Sequence, residues 1–244
     1  MRKFGLIGYP LSHSFSQKYF TEKFSKENIK DCSYQNFSIP SIQEISSIIL
    51  SESELCGLNV TIPYKEQIIS FLDFKNEVVE KINACNCIKI IDGKLHGFNT
   101  DVVGFEISLK KKLKVNHRNA LILGTGGASK AVEYVVRKLG IDYKLVSRKP
   151  SSENMISYTD LNESIIGSHQ LIINTSPIGM YPNVDAYPEI QYHAITSQHY
   201  LFDLIYNPAK TAFLQKGEER GATIENGLEM LVLQAEESWR IWNS

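Results

Sequence analysis

The sequence has no hydrophobic run approaching the roughly 20 residues that span a bilayer, and it has no CxxC pair. It also lacks an excess of either charge: 26 Lys and Arg stand against 27 Asp and Glu, for a net charge of −1. That balance removes the global attraction to nucleic acid or anionic membranes expected of a basic protein. The four cysteines, Cys32, Cys56, Cys85 and Cys87, have no histidine at zinc-ligand spacing. No metal is expected, and the thiols read as small apolar side chains in a reducing compartment. The amino terminus lacks an apolar signal region, so the expected location is the cytoplasm. No internal repeat or low-complexity stretch is visible. What remains is an ordinary globular composition, 43% hydrophobic and 22% charged over 244 residues, enough for two short domains with their own cores.

Strand-like and helix-like segments alternate along the chain. Strands are expected at 3–7, 34–39 and 55–60, and helices at 14–27, 41–50, 65–71 and 76–83. Asp92-Gly93 separates two apolar runs, 87–91 and 94–98. That dipeptide predicts a hairpin, because both residues tolerate positive φ. A helix at 102–112 leads through a polar connection at 114–118 into a more regular second half. There, strands are expected at 120–123, 143–146, 170–173 and 201–204. A helix at 129–139 is closed by Gly140, and a terminal helix runs over 228–241. Repeated β-α-β predicts parallel sheet with helices on both faces. The expected class is α/β. Residues 1–100 form an N-terminal mixed α/β substrate domain, completed by a returning helix at 228–244. Residues 101–227 are expected to form a Rossmann-type doubly wound domain.

The cofactor expectation comes from the glycine loop Gly124-Thr125-Gly126-Gly127-Ala128-Ser129, which follows a strand and opens a helix. Gly124 permits a tight turn, Gly126 allows backbone to approach a pyrophosphate, and the helix N-terminus offers unpaired N–H groups. A ligand-free glycine turn is the alternative. An NAD site usually places a carboxylate on the ribose at the end of the next strand. Here that strand ends in Ser147-Arg148-Lys149. A carboxylate would repel a 2′-phosphate, whereas Arg148 can clamp one, assisted by Lys149 and Ser147.

Three polar segments fall where first-domain strands end: Gly8 to Ser14, Asn59 to Lys65, and Gly97 to Asp101. Open α/β sheets bind ligands outside the carboxyl ends of their strands. The hydroxyls, amides, single ammonium and single carboxylate gathered there suit a small, hydroxyl-rich anion. Each has a plainer reading: Ser14 and Asp101 are plausible helix caps, and Lys65 a plausible surface lysine. If the segments converge, Lys65 beside Asp101 could move the proton that must accompany hydride transfer to or from an alcohol.

Taken in order, GYPLSHSFS at 8–16, GLNVTIPYK at 57–65, NACN at 83–86, GFNTDVVG at 97–104, GTGGAS at 124–129, NTSPIGM at 174–180, DLIYNP at 203–208 and GLEMLVLQA at 227–235 resemble the shikimate dehydrogenase family. The resemblance spans nearly the whole chain. It implies reversible reduction of 3-dehydroshikimate to shikimate with NADPH, on the route to chorismate and the aromatic amino acids. It implies Ser12 and Ser14 at the substrate carboxylate, and Thr61, Asn86, Tyr206 and Gln234 contacting the ring hydroxyls or holding the substrate in position. Lys65 and Asp101 become the catalytic pair. Asn174, Thr175, Ser176 and the Leu204 and Gly227 backbones line the nicotinamide side. The expected assembly is a monomer or homodimer with no nucleic-acid or membrane partner. The family pattern is altered at Gln17, at Cys85 and Cys87 around Asn86, and in the Ser-Arg-Lys cofactor turn. Two other readings are a quinate/shikimate dehydrogenase with relaxed cofactor use and a non-catalytic NADP-binding regulator on the same fold.

Overall fold

A computed structural model describes residues 1–11 and 15–244. The chain divides into two units, Met1–Thr100 with Ala235–Ser244, and Asp101–Gln234. The division falls within the terminal helix, whereas the sequence suggested Gly227. Among the described residues, no helix is long and apolar enough to cross a membrane.

The first unit holds β1 (Arg2–Gly8), α1 (Phe15–Lys26), β2 (Cys32–Ser38), α2 (Ile45–Ser51), β3 (Leu55–Val60), β4 (Phe74–Lys75), α3 (Glu77–Ile82), β5 (Cys87–Ile91) and β6 (Lys94–Phe98). Its sheet runs β2-β1-β3-β5-β6-β4. β1 is parallel to β2 and β3, while β5 is antiparallel to both β3 and β6. The hairpin between β5 and β6 turns at Asp92 (φ 49°) and Gly93 (φ 75°), the two positive φ values that Asp-Gly supplies at least cost. α3 is capped at both ends. The Asn76 side chain accepts from the Val79 N–H, and Asn83 closes the helix in the left-handed region.

Apolar residues cover both faces of this sheet. Ile7, Leu58, Val60 and Ile88 meet Ile45, Ile48, Ile68 and Val79 on one side. On the other, Phe4, Phe20, Phe24 and Tyr34 pack around Trp242. Phe4 stacks on Trp242 at 4.8 Å between ring centres, and the indole N–H donates to the Ile88 carbonyl at 2.9 Å. The last turns of the terminal helix are therefore part of this unit's core.

The second unit holds α4 (Asp101–Lys110), β7 (Asn119–Leu123), α5 (Gly127–Lys138), β8 (Asp142–Ser147), β9 (Met155–Ser157), α6 (Glu163–Ser168), β10 (Leu171–Asn174), β11 (Tyr200–Asp203), α7 (Ala212–Glu218), β12 (Thr223–Glu225) and the first half of α8 (Leu228–Trp242). The sheet order is β12-β11-β10-β7-β8-β9, with every pair parallel. Strand order reverses between β7 and β10, the doubly wound arrangement. Residues 120–123 and 171–173 are buried on both faces, which is why these runs are continuously apolar rather than alternating.

Three strands of two or three residues, β4, β9 and β12, and the short helices α6 and α7 have no counterpart in the sequence reading. The helix expected at 65–71 is a 3₁₀ turn over Gln67–Phe71. Asp101 is the first residue inside α4 rather than the cap before it.

Candidate active site

One edge of the first sheet gathers three of the expected substrate residues, Thr61, Lys65 and Asn86. Ile7 pairs with Val60, Asn59 with Cys87, and Cys87 with Phe98. Hence β1, β3 and β6 end, and β5 begins, at the same edge. Thr61 follows β3, and its N–H donates to the Ile7 carbonyl at 2.9 Å. Lys65 lies just beyond, half-buried, and its carbonyl accepts from the Cys85 N–H at 2.8 Å. That bond ties the lysine's loop to the segment carrying Asn86.

Asn86 is 3% exposed. Its Oδ1 accepts from the Thr100 N–H at 2.6 Å, and its Nδ2 donates to Thr100 Oγ1 at 3.0 Å. Asn99 Nδ2 donates to the Ala84 carbonyl at 3.0 Å, so 84–86 and 99–100 are locked side by side. Asp101 comes next in the chain, buried, at the head of α4. Ser12 and Ser14 lie outside the described residues.

The second unit also gathers its expected residues at the carboxyl ends of its strands. Gly124 has φ +120°, and a Cβ there would stand 2.8 Å from Thr175 Oγ1, two conditions that together require glycine. The Gly124 N–H donates to the Val146 carbonyl, and Thr175 Oγ1 donates to the Leu123 carbonyl, both at 3.0 Å. The turn is thus clamped between the ends of β8 and β10, at the point where strand order reverses. Gly126 caps α5 without a side-chain bond, and a Cβ on it would meet no protein atom within 4 Å. Thr125 and Gly126 are exposed, and Gly127 and Ala128 partly so. No acid stands in the first turn of α5. Space, the first N–H groups of a helix and a positive dipole end coincide there, as a pyrophosphate requires.

β8 runs into Ser147, whose Oγ accepts from the Lys149 N–H at 3.2 Å, while Arg148 and Lys149 are exposed. No carboxylate occupies the strand end, so the residues present fit a 2′-phosphorylated dinucleotide and oppose a bare ribose diol.

Asn174 ends β10 fully buried. Its Oδ1 accepts from the Ser176 N–H at 3.1 Å and from Ser176 Oγ at 2.7 Å, and its Nδ2 donates to Asp203 Oδ1 at 3.0 Å. The Leu204 N–H donates to the Asn174 carbonyl, and the Gly227 N–H to the Ile205 carbonyl, both at 3.0 Å. A Cβ on Gly227 would overlap the Leu204 carbonyl. These bonds draw the Asn174, Leu204 and Gly227 backbones into one corner. Tyr206 follows, 37% exposed, with burial of its ring raising the phenol pKa.

α4 packs on the first half of α8. A Cβ on Gly104 would press on the Met230 carbonyl and the Gln234 N–H. Gly104 is three residues from Asp101 and shares its face, which puts Asp101 and Gln234 on one packed helix pair. Gln234 is buried and its Nε2 donates to the Leu231 carbonyl at 2.9 Å.

Asp203 was not singled out from the sequence. It is fully buried and accepts from Asn174 Nδ2, from the Ile205 N–H at 3.1 Å and from Thr211 Oγ1 at 2.6 Å, tying β10, β11 and the start of α7 together. The one legible signal was an acid closing an apolar strand. Burial pushes its carboxyl up to about 6, against the three hydrogen bonds that pull it down. The folded chain then keeps this proton to about pH 6, while the unfolded chain loses it near 3.8. Because the native state binds more protons in that window, the group's contribution to stability falls as pH rises through it. Relative to Asp203→Asn, the wild type is expected to lose at most about 3 kcal/mol between pH 4 and pH 7. Urea unfolding of both proteins measures this, and a pH-independent difference would refute it.

Comparison with known proteins finds relatives that cover both units. Residues 6–88 match the model of the shikimate dehydrogenase substrate binding domain. Over nearly its full length the chain is similar to an NADP(+) shikimate dehydrogenase of Caldicellulosiruptor bescii, 35% identical over 99% of this chain and 89% of the relative. One from Staphylococcus epidermidis is 37% identical over 99% of this chain and 92% of its own. Among solved structures, a shikimate dehydrogenase of Peptoclostridium difficile superposes with a TM-score of 0.85 at 39% identity, covering 100% of this chain and 92% of that one. Since the similarity runs through both units rather than the glycine loop alone, the chain belongs to the shikimate dehydrogenase family.

Proposed function

We propose that this chain is an NADP-dependent shikimate dehydrogenase, which reversibly reduces 3-dehydroshikimate to shikimate in the route to chorismate and the aromatic amino acids. The observation that carries the reading is that one chain holds both edges. The first sheet presents Thr61, Lys65 and Asn86 together, and the second presents a glycine turn beside a basic, acid-free strand end. The first unit is the substrate domain, with Ser12 and Ser14 at the substrate carboxylate and Thr61 and Asn86 at its ring hydroxyls; Tyr206 and Gln234, assigned to the same hydroxyls, belong to the second unit. The second is the cofactor domain. There, Gly124 to Ala128 hold the pyrophosphate, Ser147, Arg148 and Lys149 the 2′-phosphate, and Asn174 to Ser176 with the Leu204 and Gly227 backbones the nicotinamide.

NADP supplies the hydride acceptor, or in reverse the donor, at the ring carbon that carries the reacting oxygen. The protein's task is the proton on that oxygen. Lys65 and Asp101 serve as its acid–base pair, with an amine that can take or give a proton and a carboxylate that orients it. Asn86, its Oδ1 and one N–H fixed by Thr100, offers the second N–H of its amide to a substrate hydroxyl. In the same reading the enzyme works in the cytoplasm, as a monomer or homodimer, without a metal.

Steady-state assays crossing shikimate and quinate with NADP and NAD test the assignment, with shikimate and NADP expected to give the highest kcat/KM. Arg148→Ala is expected to raise KM for NADP roughly 10- to 100-fold, the range of lost charge-assisted hydrogen bonds. KM for NAD should change little. Equal effects on both cofactors would count against the 2′-phosphate role.

A further inference from the structure

We propose that Ser238, on the last turns of α8, is a positioning residue that sets the substrate-side amide of Asn86. The proposal rests on the reading of Asn86 as a substrate contact. A buried chain of hydrogen bonds inside the first unit carries it. The Tyr34 hydroxyl donates to Asn59 Oδ1 at 2.8 Å. That bond fixes which end of the Asn59 amide faces inward, so its Nδ2 donates to Ser238 Oγ at 2.9 Å and to the Asn86 carbonyl at 3.3 Å. Ser238 and Thr100 share a hydroxyl–hydroxyl bond at 3.2 Å. Thr100 in turn brackets the Asn86 amide from its N–H and its hydroxyl. Thr100 is also the residue before Asp101.

Every member is shut away from water: Ser238 and Thr100 are 0% exposed, Asn86 3% and Asn59 4%. Helical spacing places Ser238 on the face of α8 that carries Ala235, Ile241 and Trp242, all buried in the aromatic core. An alanine would fit that face at least as well. A hydroxyl there gains nothing from packing and is held by what it bonds. It also lies beside the Cys87 thiol, whose pKa is raised chiefly by burial, at one of the positions where this chain departs from the family pattern. Removing the Ser238 oxygen takes an acceptor from Asn59 Nδ2 and the hydroxyl partner from Thr100 Oγ1, and with no water in reach to replace it Thr100 and Asn86 rotate or shift.

The test is a double-mutant cycle read through Michaelis constants. Ser238→Ala is expected to raise KM for shikimate about five-fold, the effect of one neutral hydrogen bond, with KM for NADP unchanged. In an Asn86→Ala background the same substitution should leave KM for shikimate nearly unmoved, because its target is gone. Thermal midpoints of all four proteins separate this from a general loss of stability, which would move both Michaelis constants or neither. An unchanged shikimate KM in Ser238→Ala, or an equal rise in both backgrounds, overturns the positioning role while leaving Asn86 as a contact. An unchanged shikimate KM in Asn86→Ala alone overturns the contact itself, and the positioning with it.

Discussion

Replacing Lys65 with alanine is expected to cut kcat by roughly two to four orders of magnitude, the usual worth of a placed general acid–base, while NADP binds as before. The side chain leaves a loop held on both sides, with Thr61 bonded to the end of β1 and the Lys65 carbonyl bonded to Cys85. Truncation beyond Cβ leaves those backbone bonds intact. The loss should therefore appear in turnover and not in cofactor affinity, which a fluorescence titration of NADPH measures directly. Lys65→Arg sharpens the test. Arginine keeps the positive charge but does not give up its proton in a protein, so a slow Lys65→Arg enzyme assigns the lysine a proton-transfer role beyond electrostatics. Full turnover in Lys65→Ala would sink the acid–base assignment. No turnover in the wild type with shikimate, together with tight NADP binding, would favour a non-catalytic binding protein on this fold.

Gly227→Ala should damage the enzyme by a different route. The added methyl would sit on the Leu204 carbonyl, which is backbone and cannot swing aside. Leu204 is itself bonded to Asn174, and Gly227 to Ile205, so the strain spreads to the corner assigned to the nicotinamide. Overpacking of this kind costs about 1–3 kcal/mol, a drop in thermal midpoint of roughly 3–10 °C for a chain of this length. KM for NADP is expected to rise at least about ten-fold, because the backbones that would face the nicotinamide must part. An alanine variant with wild-type melting and wild-type NADP kinetics would show that the corner relaxes freely.

Much of this architecture was legible because it is written in local chemistry. Asp92-Gly93 specified the hairpin, and Asn76 and Asn83 mark the ends of α3. The glycine loop between an apolar strand and an amphipathic helix specified the β7–α5 turn. The missed elements lack such signals. β4, β9 and β12 are too short to show alternation, and exist because a neighbouring strand offers an edge to pair with. α6 and α7, at six and seven residues, are held by caps and packing more than by periodicity. The site followed the same rule. Residues with an evident chemistry could be named, but Ser238 bonds partners distant in sequence, and Asp203, although it opens the DLIYNP stretch, reaches Asn174 on another strand. A serine on an apolar helix face and an acid at a strand end announce neither their partners nor their burial.

The placement of sulfur has a practical corollary. All four cysteines, Cys32, Cys56, Cys85 and Cys87, belong to the first unit, and Cys56 alone is not buried. Alkylating reagents therefore find one ready attachment point on the native fold, and the other three thiols become addressable only when that half of the molecule opens. The second unit, having no cysteine, is silent to the same chemistry, so labelling kinetics resolve the opening of one half with no engineered probe.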